Sequence, residues 1–172
     1  MFVLGIDPGL SRCGYGCVTR DASRGGFRAI AAGVVTTAAS ELLGNRLARL
    51  RGELASLVAE LRPDVVAVER IFFRTNARTA MSVAQASGVA LLTAAESGCE
   101  LAEYTAAEVK LAVTGYGNAT KEQVQAMVTR LAGLGEVPHP PDVADALGLA
   151  MCHLSMARVR GRGTRSLVGG AR

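Results

Sequence analysis

The chain has 172 residues, of which 49% are hydrophobic, so it is long and apolar enough to form one domain with its own core and is not a disordered chain. No apolar run approaches the roughly 20 residues that a membrane-spanning helix needs, and the first residues lack the charged start and long apolar run of a signal peptide. The net charge of +4 is a weak indication of nucleic-acid binding, because five of the 19 basic residues and none of the acids follow Cys152, leaving 14 basic against 15 acidic residues in the rest of the chain.

The first 40 residues predict three strands. FVLGID at 2–7 is an apolar run that ends on Asp7 and is followed by Pro8-Gly9. CGYGCVTR and FRAIAAGVVTT predict two more strands, joined by the turn-rich DASRGG. Because the connections are short, we expect an antiparallel meander.

The pattern then changes to helices that alternate with strands. From Glu41 to Leu61, leucines recur at spacings of three and four, which predicts an amphipathic helix that Pro63 ends. VVAVE at 65–69 predicts a buried strand, the alanine-rich stretch 76–97 predicts a helix, and CELAEYT predicts a further strand.

Three helix starts are marked in the remaining sequence. Thr105 with Glu108, and Thr120 with Gln123, both have the spacing of a capping box. The proline pair that ends at Pro141 is typical of the first turn of a helix, which we expect to run through DVADALGLAMCHLSMAR at 142–158. The order of elements predicts an α/β domain with a mixed sheet covered by helices.

The end of the chain and the cysteines predict no further catalytic or metal site. Residues 158–172, RVRGRGTRSLVGGAR, are rich in Gly and Arg, and we expect a disordered tail that either solubilises the protein or follows DNA. The four cysteines form no CxxC pair, so we expect neither a zinc site nor a disulfide framework, but reduced and mostly buried thiols in a cytoplasmic protein.

Four carboxylates carry the functional prediction. Asp7 and Glu69 each end a buried strand, and two such strands lying side by side would bring them together. Asp142 and Asp145 are three residues apart and therefore lie on one face of the last helix. Each has an ordinary alternative: Asp7 organising a turn, Glu69 pairing with an arginine, or Asp142 favoured by the helix dipole.

Taken together, the four carboxylates predict a metal site. Converging carboxylates repel one another, and divalent cations relieve that repulsion. Oxygen-only acidic sites suit Mg²⁺ or Mn²⁺. Such a site supports two-metal phosphoryl transfer, in which one ion lowers the pKa of the attacking water and the other stabilises the leaving oxygen.

An ordered set of motifs resembles the RuvC family of bacterial Holliday junction resolvases. The motifs are GIDPGLSRCGYG, VAVERIFFRTNARTAMSVAQASGVAL, Glu103-Tyr104 with Val109-Lys110, GYGNATKEQVQAMV and PPDVADALGLAMCH. The resemblance covers residues 2–156. No single motif is decisive, whereas the order and spacing of the set are specific.

The resemblance implies a ribonuclease H-like fold with a mixed five-stranded sheet and helices on both faces. It implies a homodimer in which each subunit nicks one of two opposed strands of a four-way DNA junction, coupled to a RuvA–RuvB branch-migration motor. The catalytic and metal-binding quartet of the family falls on Asp7, Glu69, Asp142 and Asp145. We therefore expect a Mg²⁺-dependent endonuclease, with Mn²⁺ as a substitute, that leaves a 5′ phosphate and a 3′ hydroxyl.

The segment after Glu69 predicts contacts with DNA. Arg70, Arg74 and Arg78 offer guanidinium groups to phosphates, and Phe72 offers a face for base stacking. The resemblance implies that the aromatic at Phe72 stacks on opened bases at the crossover. The alternative is a core phenylalanine beside a solvated run of charge.

Two lysines also correspond to basic residues of the family. Lys110 lies on a predicted helix, and Lys121 lies in a first helical turn, where a positive charge opposes the helix dipole. That placement favours a role at a DNA phosphate, with an ordinary exposed lysine as the alternative. His153 is interpreted as structural, and His139 receives no catalytic role.

Two other functions fit parts of the sequence. A strand ending in Asp7 and a glycine-rich turn also opens ATP-binding domains of the actin and sugar-kinase type, but that architecture needs two such domains and a longer chain. A module that binds junctions without cutting them would not need four carboxylates.

Overall fold

The computed structural model describes residues 1–23, 25–71 and 77–166, and for 77–79 and 158–166 it describes the backbone alone. Within these ranges the chain forms one five-stranded sheet and five helices. The strands are β1 (Phe2–Asp7), β2 (Arg12–Asp21), β3 (Gly26–Thr36), β4 (Val65–Glu69) and β5 (Glu100–Tyr104). The helices are α1 (Leu43–Leu61), α2 (Ala77–Glu96), α3 (Ala106–Thr114), α4 (Lys121–Ala132) and α5 (Pro141–Ser166).

The sheet is mixed, with strand order β3-β2-β1-β4-β5. The first three strands form the predicted antiparallel meander, and β4 and β5 are added parallel to β1. The carboxyl ends of β1, β3, β4 and β5 and the start of β2 therefore lie at one edge of the sheet. We call this edge the carboxylate edge, because Asp7 and Glu69 end their strands there.

Two apolar cores cover the two faces of the sheet. On one face, α1 and α2 pack on alternate strand residues such as Leu4, Ile6 and Val66. On the other face, α3, α4 and α5 pack on the intervening residues, including Val3 and Val65. The period of two along each strand assigns every side chain to one of these faces.

The helix ends follow from local chemistry. Thr105 and Thr120 both close the predicted capping boxes, with their side chains accepting hydrogen bonds from Glu108 N and Gln123 N. The first helix ends at Leu61 because Arg62 adopts a left-handed conformation (φ 44°) and a proline follows it. The predicted strands and helices are thus confirmed within one or two residues at most ends.

The last helix is longer than predicted. Its helical backbone is described as far as Ser166. The disorder expected for residues 158–172 stays a prediction. Arginine is a good helix former, and extending an established helix costs much less than starting one, so the glycines do not end it at once. The rest of the predicted tail, 167–172, lies outside the described residues.

Two further observations concern the sequence as a whole. All four cysteines are free thiols and three are buried; burial raises the pKa of Cys13 and of Cys152 to about 12, which keeps both protonated and unreactive. Among the described residues, no helix is both long and apolar enough to span a bilayer.

Candidate active site

Asp7 and Glu69 lie side by side on the same face of the sheet. The parallel register of β1 and β4 aligns Gly5 with Ala67 and Ile6 with Val68, so the next residues along each strand are neighbours. Ala67 packs in the core beneath α5, and side chains two apart share a face. Both carboxylates therefore point towards the helix that carries Asp142 and Asp145.

Two glycines allow α5 to approach the strands at backbone distance. A Cβ atom on Gly5 would collide with the carbonyl oxygen of Ala146, and a Cβ on Gly14 would collide with the carbonyl oxygen of Asp142. Gly14 pairs directly with Asp7 in the β1–β2 register. The absence of side chains at these positions therefore places the first turn of α5 beside Asp7.

The carboxylates interact strongly in this arrangement. Burial, followed by the charges of Glu69, Asp145 and Asp142, raises the pKa of Asp7 from 3.8 to about 7, against a lowering effect of Lys121. Burial and the charge of Asp145 also raise the pKa of Glu69. The quartet from three separate elements thus forms one electrostatic cluster, in which the other three charges all act on Asp7.

Two cationic side chains partly neutralise the cluster. Lys121 Nζ donates to Asp145 Oδ2 at 2.7 Å, and this hydrogen bond is the largest cause of the raised pKa of Lys121. Arg12 Nε lies 3.4 Å from Asp142 Oδ2. Each aspartate of α5 is therefore held by a cation from a different side of the site.

A cavity of about 420 Å³ contains most of these groups. Asp7, Glu69 and Asp145 line it together with Lys110 and Lys121. Its remaining walls are apolar and come from α3, α4 and α5: Ala106, Val109, Val124 and Leu149. A polar centre with low-dielectric walls strengthens the interactions of any ion or phosphate that enters.

A larger groove of about 660 Å³ lies at the opposite end of β4 and β5, and we do not assign the function to it. The charged side chains that line it include Arg51 and Glu96, which pair at 2.7 Å, so that their charges are already compensated. The larger cavity is therefore not the one with the perturbed carboxylates. We place the candidate site in the smaller cavity, because clustered carboxylates with raised pKa values are typical of functional sites.

The donor set fits hard divalent cations, although the side chains are not arranged as ligands. Four carboxylates supply oxygen donors alone, which suits Mg²⁺ or Mn²⁺. Burial, followed by the charges of the other three carboxylates, raises the pKa of Asp7 although Lys121 lowers it, and a bound cation would relieve both effects. Among the described residues, no three His, Cys, Asp or Glu side chains are grouped as ligands of one ion, and two of the four carboxylates are ion-paired instead.

The structure places the predicted DNA-contact residues unevenly. Lys110 and Lys121 line the cavity. Arg70 is exposed directly after Glu69, and its backbone N–H donates to Tyr104 O at 2.8 Å. Phe72 and Arg74 lie outside the described residues, as does the side chain of Arg78.

Sequence reasoning missed Arg12 and the packing role of Gly5 and Gly14. The signal for the glycines was present, because a glycine in the interior of a strand often marks close approach of another backbone. Arg12 carried no comparable signal, because an arginine at a strand start is common. His153, interpreted as structural, is buried and hydrogen-bonded through Nδ1 to the Tyr104 hydroxyl at 2.9 Å.

Comparison with known proteins gives consistent matches over nearly the whole chain. A family model described as crossover junction endodeoxyribonuclease RuvC matches residues 3–153. The crossover junction endodeoxyribonuclease RuvC of Salinispora arenicola is 53% identical over 162 residues, covering 94% of this chain and 92% of that protein.

Solved structures agree with the sequence matches. The Thermus thermophilus RuvC structure superposes with a TM-score of 0.85 at 36% identity, covering 92% of this chain and 96% of that one. T. thermophilus RuvC in complex with Holliday junction substrate superposes with a TM-score of 0.83 at 34% identity and the same coverage. The predicted ribonuclease H-like fold, with its mixed five-stranded sheet, is confirmed.

Proposed function

The chain belongs to the RuvC family of crossover junction endodeoxyribonucleases, and from this membership we propose that it resolves four-way DNA junctions by paired symmetric nicks during recombination and repair. The observation that carries the proposal is the convergence of Asp7, Glu69, Asp142 and Asp145 in one electrostatic cluster beside a cavity lined by Lys110 and Lys121. The similar structure of T. thermophilus RuvC is a complex with Holliday junction substrate, which supports four-way junctions as the DNA that this chain cuts.

We propose Mg²⁺ as the cofactor, with Mn²⁺ as a substitute and two ions per site. Asp7, Glu69, Asp142 and Asp145 are the residues that would hold them. Bound there, the ions would lower the pKa of an attacking water and stabilise the leaving 3′ oxygen, which gives a 5′ phosphate and a 3′ hydroxyl.

The protein groups around the carboxylates orient the DNA. Lys121 and Lys110 present ammonium groups to the same cavity as Asp7, where they attract and position a phosphate. The apolar walls that α3, α4 and α5 contribute exclude water from one side of the cavity. Lys121 also donates a hydrogen bond to Asp145, so the same ammonium group that would contact a DNA phosphate orients one of the carboxylates.

The remaining contacts and partners extend this proposal. From the sequence, we propose that Phe72, three residues after Glu69, stacks on bases opened at the crossover and that Arg70, Arg74 and Arg78 contact phosphates. Paired nicks on opposed strands require two sites related by symmetry, so we propose a homodimer. A RuvA–RuvB complex as partner and the cytoplasm as the place of action follow from family membership.

A synthetic four-way junction tests the proposal directly. The unchanged protein is expected to cut the junction in Mg²⁺ or Mn²⁺, to leave a linear duplex of the same sequence intact, and to bind the junction without cutting it in EDTA. Asp7→Asn is expected to lower the cleavage rate by about 1,000-fold or more, because it removes the carboxylate on which the charges of the other three act, while junction binding in EDTA persists.

The same assay separates the other candidates. Junction binding without cleavage in either metal would identify a binding module. ATP binding without DNA binding would favour the ATP-binding class. Full cleavage by Asp7→Asn would show that the site lies elsewhere in the molecule.

A further inference from the structure

Two arginines, Arg12 and Arg46, lie on the β2–β3 side of the carboxylate edge. Arg12 begins β2, and it pairs with Thr36 at the end of β3. The connection is closed by Thr37 N, which donates to Ser11 O at 3.3 Å. Arg46, from the first turns of α1, reaches the same place from the opposite face of the sheet. We call this group, Ser11, Arg12, Thr37 and Arg46, the basic lip.

Hydroxyl groups hold Arg46 in one orientation. Its Nε donates to Thr37 Oγ1 at 2.9 Å, and its Nη2 donates to Ser11 Oγ at 2.7 Å. The Thr37 hydroxyl is itself fixed, because it is buried and donates to Leu10 O at 2.5 Å. The guanidinium therefore has a set direction before any ligand arrives, which reduces the entropy lost on binding.

The charge of Arg46 is not matched by an acid. Two neighbouring arginines of α1 are paired with acids. Arg49 lies 3.5 Å from Glu41, and Arg51 lies 2.7 Å from Glu96. Within the described residues, no ion pair includes Arg46. An arginine oriented by neutral hydroxyls retains its full positive charge for an external anion.

Arg12 connects the lip to the carboxylates. Its side chain is 61% exposed, and its Nε lies 3.4 Å from Asp142 Oδ2. The strand order places β3 and β2 on one side of Asp7, and β4, β5 and then α3 on the other. The order along the carboxylate edge is therefore the basic lip, Asp7, Glu69 and the helix that carries Lys110.

The dimensions of the edge suit a DNA strand. Four strand spacings of about 4.8 Å give an edge of about 19 Å from β3 to β5. At an axial rise of about 3.4 Å per phosphate of one strand, a duplex whose axis runs along this edge has about five to six phosphates of that strand over this length. Positive charge at both ends of a carboxylate-lined edge matches a backbone whose central phosphate is the one cut.

We propose that the basic lip binds backbone phosphates of the cleaved DNA strand, on the side of the cut away from Lys110. The inference rests on the proposed nuclease function. It adds a second phosphate-binding site, formed by the residues of the basic lip. Arg46 supplies a preoriented guanidinium, Ser11 an exposed hydroxyl, and Arg12 a guanidinium that reaches both Asp142 and the DNA.

The test is the salt dependence of junction binding in EDTA, where the DNA is not cut. Arg46→Gln removes the charge and leaves an amide that can still donate to the lip hydroxyls. We expect an affinity about 5- to 20-fold lower at low salt, and a slope of log affinity against log salt that is shallower by about 0.7 to 0.9, the value for one lost phosphate contact. Arg51→Gln is the matched control: it lies on the same helix but is paired with Glu96 and lines the groove at the other end of the sheet, and both quantities should stay at the parent value.

A second pair of measurements distinguishes phosphate binding from a purely structural role. Arg46→Lys keeps the charge and should restore the slope even if the melting temperature of both variants falls. Each phosphate near the cut can be replaced in turn by a neutral methylphosphonate. At one position, the replacement should lower the junction affinity of the parent to that of Arg46→Gln. At the same position, it should leave the affinity of Arg46→Gln unchanged.

Several results would overturn the inference. The first is a salt slope of Arg46→Gln equal to that of the parent. The second is a salt slope of Arg46→Lys equal to that of Arg46→Gln. The third is a methylphosphonate that weakens Arg46→Gln further at every position tested. If the parent itself fails to bind the junction, the proposed function fails as well. If the parent binds and cuts normally while these tests fail, only the lip is wrong.

Discussion

The two faces of the sheet are packed by different means. On the α1–α2 face, large side chains fill the space: Leu50 and Leu54 are fully buried against strand residues such as Leu4 and Val66. On the α5 face, Gly5 removes the side chain so that the helix backbone rests on the strand itself. Both faces bury apolar side chains, including Leu147 and Leu149 on the α5 face, and the α5 face adds contact between helix backbone and strand backbone at Gly5 and Gly14.

This difference explains where the charges are found. The α1–α2 face brings apolar side chains together and leaves its charged groups at the periphery, in pairs such as Arg49 with Glu41. The α5 face brings Asp142 next to Asp7 through the contact at Gly14. Close backbone packing therefore concentrates carboxylates at one end of a core that would otherwise exclude them.

Stability in the absence of metal should depend on pH through the α5 face. Folding raises the pKa of Asp7 from 3.8 to about 7, so the folded state holds this proton more tightly than the unfolded state. The stabilisation is complete below about pH 3.8 and is lost as the pH rises through about 7. Urea unfolding in EDTA should show a free energy that falls by at most roughly 4 kcal/mol between pH 4 and pH 8 on this account, relative to Asp7→Asn. Glu53→Gln, an exposed carboxylate of α1, is the control and should leave the parent pH profile unchanged. A parent profile parallel to that of Asp7→Asn would contradict the prediction.

A cavity on the α1–α2 face should weaken the fold but not the metal response. Leu54→Ala removes a fully buried side chain, and we expect a loss of about 2 to 5 kcal/mol in the free energy of unfolding. Below its melting transition, the variant should keep the parent's half-saturating Mn²⁺ concentration for junction cleavage. A clear change in that concentration would mean that the two faces are coupled.

A methyl group on the α5 face should have the opposite effect. In Gly14→Ala, the new Cβ displaces the Asp142 carbonyl and with it the first turn of α5. We expect cleavage to fall about 100-fold, since displacements near 1 Å in a catalytic arrangement cost about that much. The half-saturating Mn²⁺ concentration should rise, while junction affinity in EDTA stays within about twofold. Cleavage and Mn²⁺ dependence equal to those of the parent would show that the close approach does not position the carboxylates.

The smallest effect is expected at a glycine that packs against nothing. Gly52 lies inside α1, and a Cβ there would have no heavy atom within 4 Å. Gly52→Ala should therefore raise the free energy of unfolding by about 0.5 to 1 kcal/mol through helix propensity, with unchanged cleavage. Urea titration measures the gain, and a destabilised Gly52→Ala would indicate a contact in this region that the structure does not describe.

Sequence patterns predicted most of the elements, because their signals lie within one element. The capping box at Thr105 spans four residues, and the apolar run before Glu69 spans one strand. The lip was missed because its contacts join distant residues: Arg46 meets Ser11 across 35 positions. The helical backbone described from 159 to 166 was not predicted for a related reason, since composition alone does not show that a helix already established by packing continues into a glycine-rich stretch.

By itself, the sequence determined the alternation of strands and helices, the four carboxylates and the resemblance to one family, because each of these is written in residue types and spacings. Only the tertiary structure decided that Gly14 admits the start of α5, that Lys121 and Arg12 hold the two helical aspartates, and that Asp7 titrates near neutral pH. The reason is physical: desolvation and charge–charge interaction depend on distances between residues far apart in the chain, and these distances exist only once both faces of the sheet are packed.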